Sequence, residues 1–177
     1  PADVPEFGRK IHVEASRMIQ LVNDILQLSH LDSVSETHAQ PDMETVDLLD
    51  VAKDCVERQK LNAQRSFISL TYLGESARVL GNRDQLDELC QNLCDNAIRY
   101  NRPGGKVQLI TSCTRDGHCT LTVKDNGIGI PAEAQSSVFE RFYRVDKSRS
   151  KATGGTGLGL AIVKHIARIH NARIKLE

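Results

Sequence analysis

Leu121-Thr-Val-Lys-Asp-Asn-Gly-Ile-Gly129 is the stretch on which the fold of this chain turns. Apolar Leu121 and Val123 alternate with polar Thr122 and Lys124, the period of a strand with one buried face. The strand stops at Asp125, and Asn126-Gly127-Ile128-Gly129 is a turn with glycine where side chains would crowd. An acidic side chain thus ends a strand beside backbone bare enough for a ligand to approach closely. The same Asp-Asn-Gly also reads as an ordinary hairpin turn. What the rest of the chain supplies decides between the two.

The 177 residues suffice for one domain of usual size, or a small domain with an appendage. Lys+Arg and Asp+Glu are both 23, so no global field draws the chain onto nucleic acid or a membrane surface. There is no signal peptide and no long apolar run. The five cysteines (Cys55, Cys90, Cys94, Cys113, Cys119) read as buried, reduced thiols of a cytosolic protein. Cys90 and Cys94, four apart in a helical pattern, lack the further ligands a zinc site needs.

The spacing predicts one long helix from Pro5 to Asp32. Ile11, Ala15, Met18, Val22, Ile25 and Ser29 form its apolar stripe, with Asp24 among the polar residues off it. Such a stripe must be buried, in a bundle or coiled coil or in the chain's own core. Ser33 to Asp42 loses the period and carries Pro41, which marks a linker. Beyond it the pattern predicts a strand at Glu44–Asp47, a helix from Leu48 to Leu61 and strands at Phe67–Tyr72 and Arg78–Leu80. A helix from Arg83 to Tyr100 follows, with Asn82 as N-cap and Gln85 at the capping-box position. Strands Lys106–Thr114 and His118–Asp125 join at Arg115-Asp116-Gly117 as a hairpin.

On the Arg83–Tyr100 helix, Glu88, Asn92 and Asn96 lie four apart and share a face. Asparagine inside a helix costs propensity, and an amide oxygen is a hard neutral ligand suited to Mg²⁺. Solvent-facing asparagines are the alternative. Arg99 and Tyr100 sit one turn on. Phe139, Phe142 and Tyr143 suggest an anchoring cluster. Between Glu140 and Lys151, five basic residues (Arg141, Arg144, Lys147, Arg149, Lys151) face two acidic ones (Glu140, Asp146), a lid suited to polyanions or a solvated loop. Thr153-Gly-Gly-Thr-Gly-Leu-Gly-Leu160 then opens a helix to His170, and bare amides at a helix start bind anions. It is no Walker loop, and it does not follow a strand as a dinucleotide fold requires.

Taken in order, Asn-x-x-x-Asn, Asp-Asn-Gly-Ile-Gly-Ile, Phe-Glu-Arg-Phe-Tyr-Arg and Gly-Thr-Gly-Leu-Gly-Leu resemble the ATP-binding domain of bacterial sensor histidine kinases. The resemblance covers about Val46 to Glu177. The helix with Val22-Asn-Asp-Ile-Leu-Gln-Leu-Ser-His-Leu-Asp32 looks like the second helix of that family's dimerisation and phosphoacceptor domain. The resemblance implies an α+β fold, a two-layer α/β sandwich with a mixed sheet on helices (Bergerat type) after one long N-terminal helix. It also implies a partial dimerisation domain at 1–38 and an ATP-binding domain at 39–177 that lacks its final segment.

It implies ATP and Mg²⁺ as cofactors. Asp125 would accept from the adenine amino group, and Gly127 and Gly129 would let backbone approach the base. Asn96 would hold Mg²⁺, with Asn92 alongside and Arg99 and Tyr100 near the nucleotide. Gly155, Thr156, Gly157, Leu158 and Gly159 would wrap the phosphates, aided by Lys147 and Arg149. The γ-phosphate would pass to a histidine and then to the aspartate of a response regulator. The full protein would be a homodimer through the N-terminal helix, cytoplasmic in this portion and membrane-anchored, with no nucleic acid as partner.

In the related gyrase and chaperone ATPases a glutamate that activates water stands one turn before the magnesium asparagine; here it is Asn92, which is no general base. Two departures stand out. None of His12, His30, His38, His118, His165 or His170 has the family's acceptor context, a following acid and then Thr/Asn-Pro, which places the acceptor upstream. His170-Asn171-Ala172 also replaces the family's His-Gly-Gly.

Overall fold

The computed structural model describes residues 4–36, 42–145 and 155–177. Its elements are α1 (Val4–Glu36), β1 (Glu44–Asp47), α2 (Leu48–Arg65), β2 (Ser69–Gly74), β3 (Arg78–Gly81), α3 (Arg83–Arg99), β4 (Lys106–Cys113), β5 (Cys119–Asp125) and α4 (Gly159–Ile169), with a 3₁₀ turn at Ala132–Ala134. A mixed sheet runs in the order β2-β4-β5, with β2 parallel and β5 antiparallel to β4. β1 and β3 form a separate antiparallel pair. The result is the α+β sandwich expected, with a long helix before it.

Register decides which side chains meet the helices. Val107, Leu109 and Thr111 of β4 are buried, and their Cα partners on β5 are Asp125, Val123 and Leu121. Side chains alternate along a strand, so Asp125 shares the helix-facing side with Leu121 and Val123. Val51, Ala52 and Cys55 of α2 and Leu86, Cys90, Ala97 and Ile98 of α3 complete that core. A second, smaller core joins α3 to α4 through Leu89, Leu158, Ile162 and Ile166.

The caps tie the layers together. Asp47 Oδ1 accepts from the Leu49 amide at 2.9 Å, starting α2, and from the Ala77 amide at 3.0 Å. The Ser76 hydroxyl on its other oxygen is the largest cause holding that carboxyl below its ordinary range. Asn82 caps α3 as expected, its Oδ1 accepting from the Gln85 amide at 3.1 Å. The capping box is only half made: Gln85 Oε1 is buried with no hydrogen bond among the described residues. The Asn82 amide donates instead to His170 Nε2 at 3.0 Å, while His170 Nδ1 lies 2.9 Å from the Ile166 carbonyl. Those two partners assign the proton to Nδ1.

Several expectations are corrected. β2 starts at Ser69 rather than Phe67, because Phe67 takes φ +56° and is 75% exposed in the turn that ends α2. The Ile68 amide closes that turn on the Ala63 carbonyl at 2.8 Å. Cys55, Cys90 and Cys94 are buried and free, but Cys113 and Cys119 form a disulfide because the hairpin register sets them directly opposite. The chain's own core does not cover the apolar stripe of α1, since Ile11, Met18 and Val22 are more than half exposed, and burial in a bundle or coiled coil remains the expectation; Asp24, off the stripe, is buried. The aromatic anchor is partial, since Phe139 and Tyr143 are half-buried but Phe142 stays exposed.

Candidate nucleotide site

The Asp125 turn is not a hairpin, because the chain runs on into the 3₁₀ turn at Ala132–Ala134. Asp125 Oδ1 accepts from the Gly127 amide at 2.8 Å, and the Ile128 amide donates to the Tyr100 carbonyl at 3.1 Å. A Cβ at Gly127 would lie 2.5 Å from that carbonyl and 2.9 Å from Asp125 Oδ1. Glycine is therefore required for the close approach, and the turn is pinned to the end of α3. Gly129, at φ +71°, faces open space.

The other end of the site is built by α3 and the start of α4. Asn92 Nδ2 donates to the Glu88 carbonyl at 3.1 Å, which fixes the amide on the helix face. A Cβ at Gly159 would meet Asn92 Oδ1 at 2.8 Å and Asn96 Nδ2 at 3.7 Å. One at Gly155 would meet Arg99 Nη1 at 3.1 Å and Tyr100 Oη at 3.3 Å. Arg99 also pairs with Asp95 at 2.7 Å. Gly157, at φ +77°, lies over the backbone of Phe142, whose amide donates to the Gly157 carbonyl at 2.9 Å. The glycine run thus rests directly on the asparagine face, and Tyr100 links it to the Asp125 turn.

This brings together Asn92, Asn96, Arg99, Tyr100, Asp125, Gly127, Gly155, Thr156, Gly157 and Gly159. Leu158 contributes only backbone, because its side chain is fully buried between α3 and α4. Lys147 and Arg149 lie outside the described residues.

Three groups have surroundings that the sequence pattern does not reveal. Arg144 was one of five lid cations, yet its Nε and Nη2 are buried with no hydrogen bond among the described residues. Asp24 reaches Thr156 across 132 positions, its Oδ2 accepting from the hydroxyl at 2.6 Å. Only the Gln20/Asp24 spacing hinted at a polar contact on α1. Glu88, beyond Asn92, is pushed up to about 7, by burial first and by the Asp24 charge second.

That shift has a sign that can be measured. The ionised form is penalised in the folded state, so the cost is absent below about 4.5, grows with pH, and is complete above about 7. Glu88→Gln is expected to raise Tm near pH 8 and leave it nearly unchanged near pH 4. An equal shift at both pH values in calorimetry would show that burial of the charge is not the cause.

A family model described as Histidine kinase-, DNA gyrase B-, and HSP90-like ATPase matches residues 81–177. The Sensor-like histidine kinase SenX3 of Mycolicibacterium smegmatis is 42% identical over 177 residues, 99% of this chain and 45% of its own length. The Sensor protein kinase WalK of Staphylococcus saprophyticus is 38% identical over 171 residues, 96% of this chain and 28% of its own. This chain therefore spans less than half of these curated relatives. Among solved structures, the mycobacterial sensor histidine kinase MprB is similar with a TM-score of 0.63 at 34% identity, over 73% of this chain and 81% of that one. Full-length ShkA shares the fold over 96% of this chain and 34% of its own, with a TM-score of 0.74 at 24% identity. The match over α3, the Asp125 turn and the glycine run, which together build the site, places this chain in the histidine kinase-, DNA gyrase B- and HSP90-like ATPase family, among its sensor histidine kinases.

Proposed function

We propose that residues 39–177 bind Mg²⁺-ATP and donate its γ-phosphate to a histidine, with residues 1–38 as the second helix of a dimerisation and phosphoacceptor domain. The observation that carries this reading is the convergence of the Asp125 turn, Asn92/Asn96 and the glycine run through Tyr100. Asp125 accepts from the adenine amino group and repels the carbonyl that guanine offers at the same edge. Gly127 and Gly129 leave room for the base. The amides of Gly155–Gly159 and the start of α4 take the phosphates, with Arg99, Lys147 and Arg149 as further cations. Arg144, whose Nε and Nη2 are buried without a partner among the described residues, supplies charge for the terminal phosphate.

The residues fit a magnesium ion. The Asn96 amide, unlike that of Asn92, makes no hydrogen bond among the described residues and is free to ligate, with Asn92 beside it. When bound, the ion neutralises phosphate charge and helps align the γ-phosphate. Asn92 cannot deprotonate water, so the site orients a phosphate without the usual means of hydrolysing it. That suits transfer to a histidine brought from elsewhere, where in-line positioning dominates. The histidine then serves a response-regulator aspartate, and the whole protein works as a homodimer through the N-terminal helix. We infer a cytoplasmic site for this portion of a membrane-anchored sensor; among the described residues no helix is long and apolar enough to cross a membrane.

The test uses γ-labelled ATP with this chain, alone and mixed with the dimerisation and acceptor domain of a relative. Label is expected only on the supplied domain, at an acid-labile histidine. Multiple-turnover hydrolysis without a partner would overturn the kinase reading in favour of a gyrase- or chaperone-type ATPase. Acid-labile label on the chain alone would refute an acceptor outside it.

A further inference from the structure

The polar contact between α1 and the glycine run is unlike the rest of that helix. Asp24 is 7% exposed, while its apolar neighbours Val22 and Ile25 are 52% and 42% exposed. Its Oδ1 accepts from Gln20 Nε2 at 2.7 Å and its Oδ2 from Thr156 Oγ1 at 2.6 Å. Both donors are neutral, and the neighbouring Glu88 is of like sign when ionised. A buried carboxylate is costly without strong partners. What favours it here is its place: Thr156 lies in the bare run that opens α4, where the amide ends and the helix dipole attract one anion. The Leu158 amide donates to the same Thr156 oxygen at 3.3 Å, so hydroxyl, amide and carboxylate form one chain.

We propose that Asp24 acts as an internal stand-in for a nucleotide phosphate, so that docking of α1 on the glycine run and binding of the phosphate tail compete. The inference rests on the nucleotide reading of the site. With Asp24 seated, the Thr156 donor is taken and a negative charge lies where a polyanion would settle. Entry of the phosphates requires the helix to release the loop. By reciprocity, anything that lifts α1 raises affinity for the phosphates, and bound nucleotide loosens α1 by the same factor.

The experiment is calorimetric titration of the chain with a non-hydrolysable ATP analogue plus Mg²⁺, and separately with adenosine. Asp24→Asn keeps the shape and an acceptor oxygen while removing the charge. It is expected to tighten the ATP analogue about fivefold, within the usual range of site coupling, and to leave adenosine unchanged. Gln20→Ala, which frees one carboxylate oxygen, is expected to shift the analogue in the same direction by less, and it checks that the effect is not peculiar to one variant. Equal analogue affinity in wild type and Asp24→Asn would overturn the competition while leaving the nucleotide site standing. Equal tightening of adenosine would overturn it too, because the gain would not belong to the phosphates. Absence of binding in every form would remove both this proposal and the nucleotide reading.

Discussion

Asp125→Asn is expected to lower affinity for an ATP analogue about a hundredfold while leaving Tm within a degree or so of wild type. The reason lies in how the carboxylate is already used. Oδ1 accepts from the Gly127 amide at 2.8 Å and so holds the turn. Asparagine can keep that bond only by turning its oxygen toward Gly127, which presents its amino group to the adenine amino group. Donor then faces donor, and a site built to accept a hydrogen bond is left with an unpaired pair. Isothermal calorimetry checks the affinity, and an affinity within threefold of wild type would remove Asp125 from base recognition. Unchanged melting matters equally, because a collapsed turn would weaken binding for a different reason.

The second large effect concerns folding. Gly74 closes β2 at φ +121°, and a Cβ there would lie 2.0 Å from the Thr111 carbonyl oxygen and 2.8 Å from the Thr111 amide. Both contacts are backbone of the buried partner strand, so neither can swing away. Thr111 Oγ1 also donates to the Glu75 carbonyl at 2.8 Å, which locks the same corner. Gly74→Ala is expected to cost about 3–5 kcal/mol or to prevent folding, from clash and forbidden backbone together. Gly104→Ala is the control: φ is +81° there but the space is open, so only the backbone cost of about 1 kcal/mol applies. Urea midpoints of the two variants decide the matter, and equal losses would mean that the clash relaxes.

Much of the site was legible because it is built from local patterns. Period-two alternation placed Asp125 on the face of Leu121 and Val123, and period four placed Asn92 above Asn96. Both rules depend only on neighbours along one element. The Cys113–Cys119 pair is legible too, by counting outward from Asp116 in the expected hairpin, whereas composition alone points to free thiols. Phe67 misled because alternation cannot reveal that the preceding helix ends in a left-handed turn. Asp24 was invisible for a deeper reason. Its partner Thr156 is 132 positions away, and a carboxylate off an apolar stripe looks solvated until something is packed against it. The lid residues Lys147 and Arg149 could be read only as charge, which fixes no geometry.

The hydrogen bond between the Asn82 amide and His170 has a consequence for the opposite end of α4. It ties the last turn of that helix to the first turn of α3, while Gly159 lies against Asn92 and Asn96. Eleven helical residues separate the tether from the glycine run, a rod of about 16 Å. The height of the glycine amides above the asparagines is therefore a matter of registration, set from a fixed datum at the far end. A slide by one turn would move the run about 5.4 Å. On the proposed reading of the site, nucleotide affinity is expected to respond to changes at His170, at the opposite end of α4 from the glycine run.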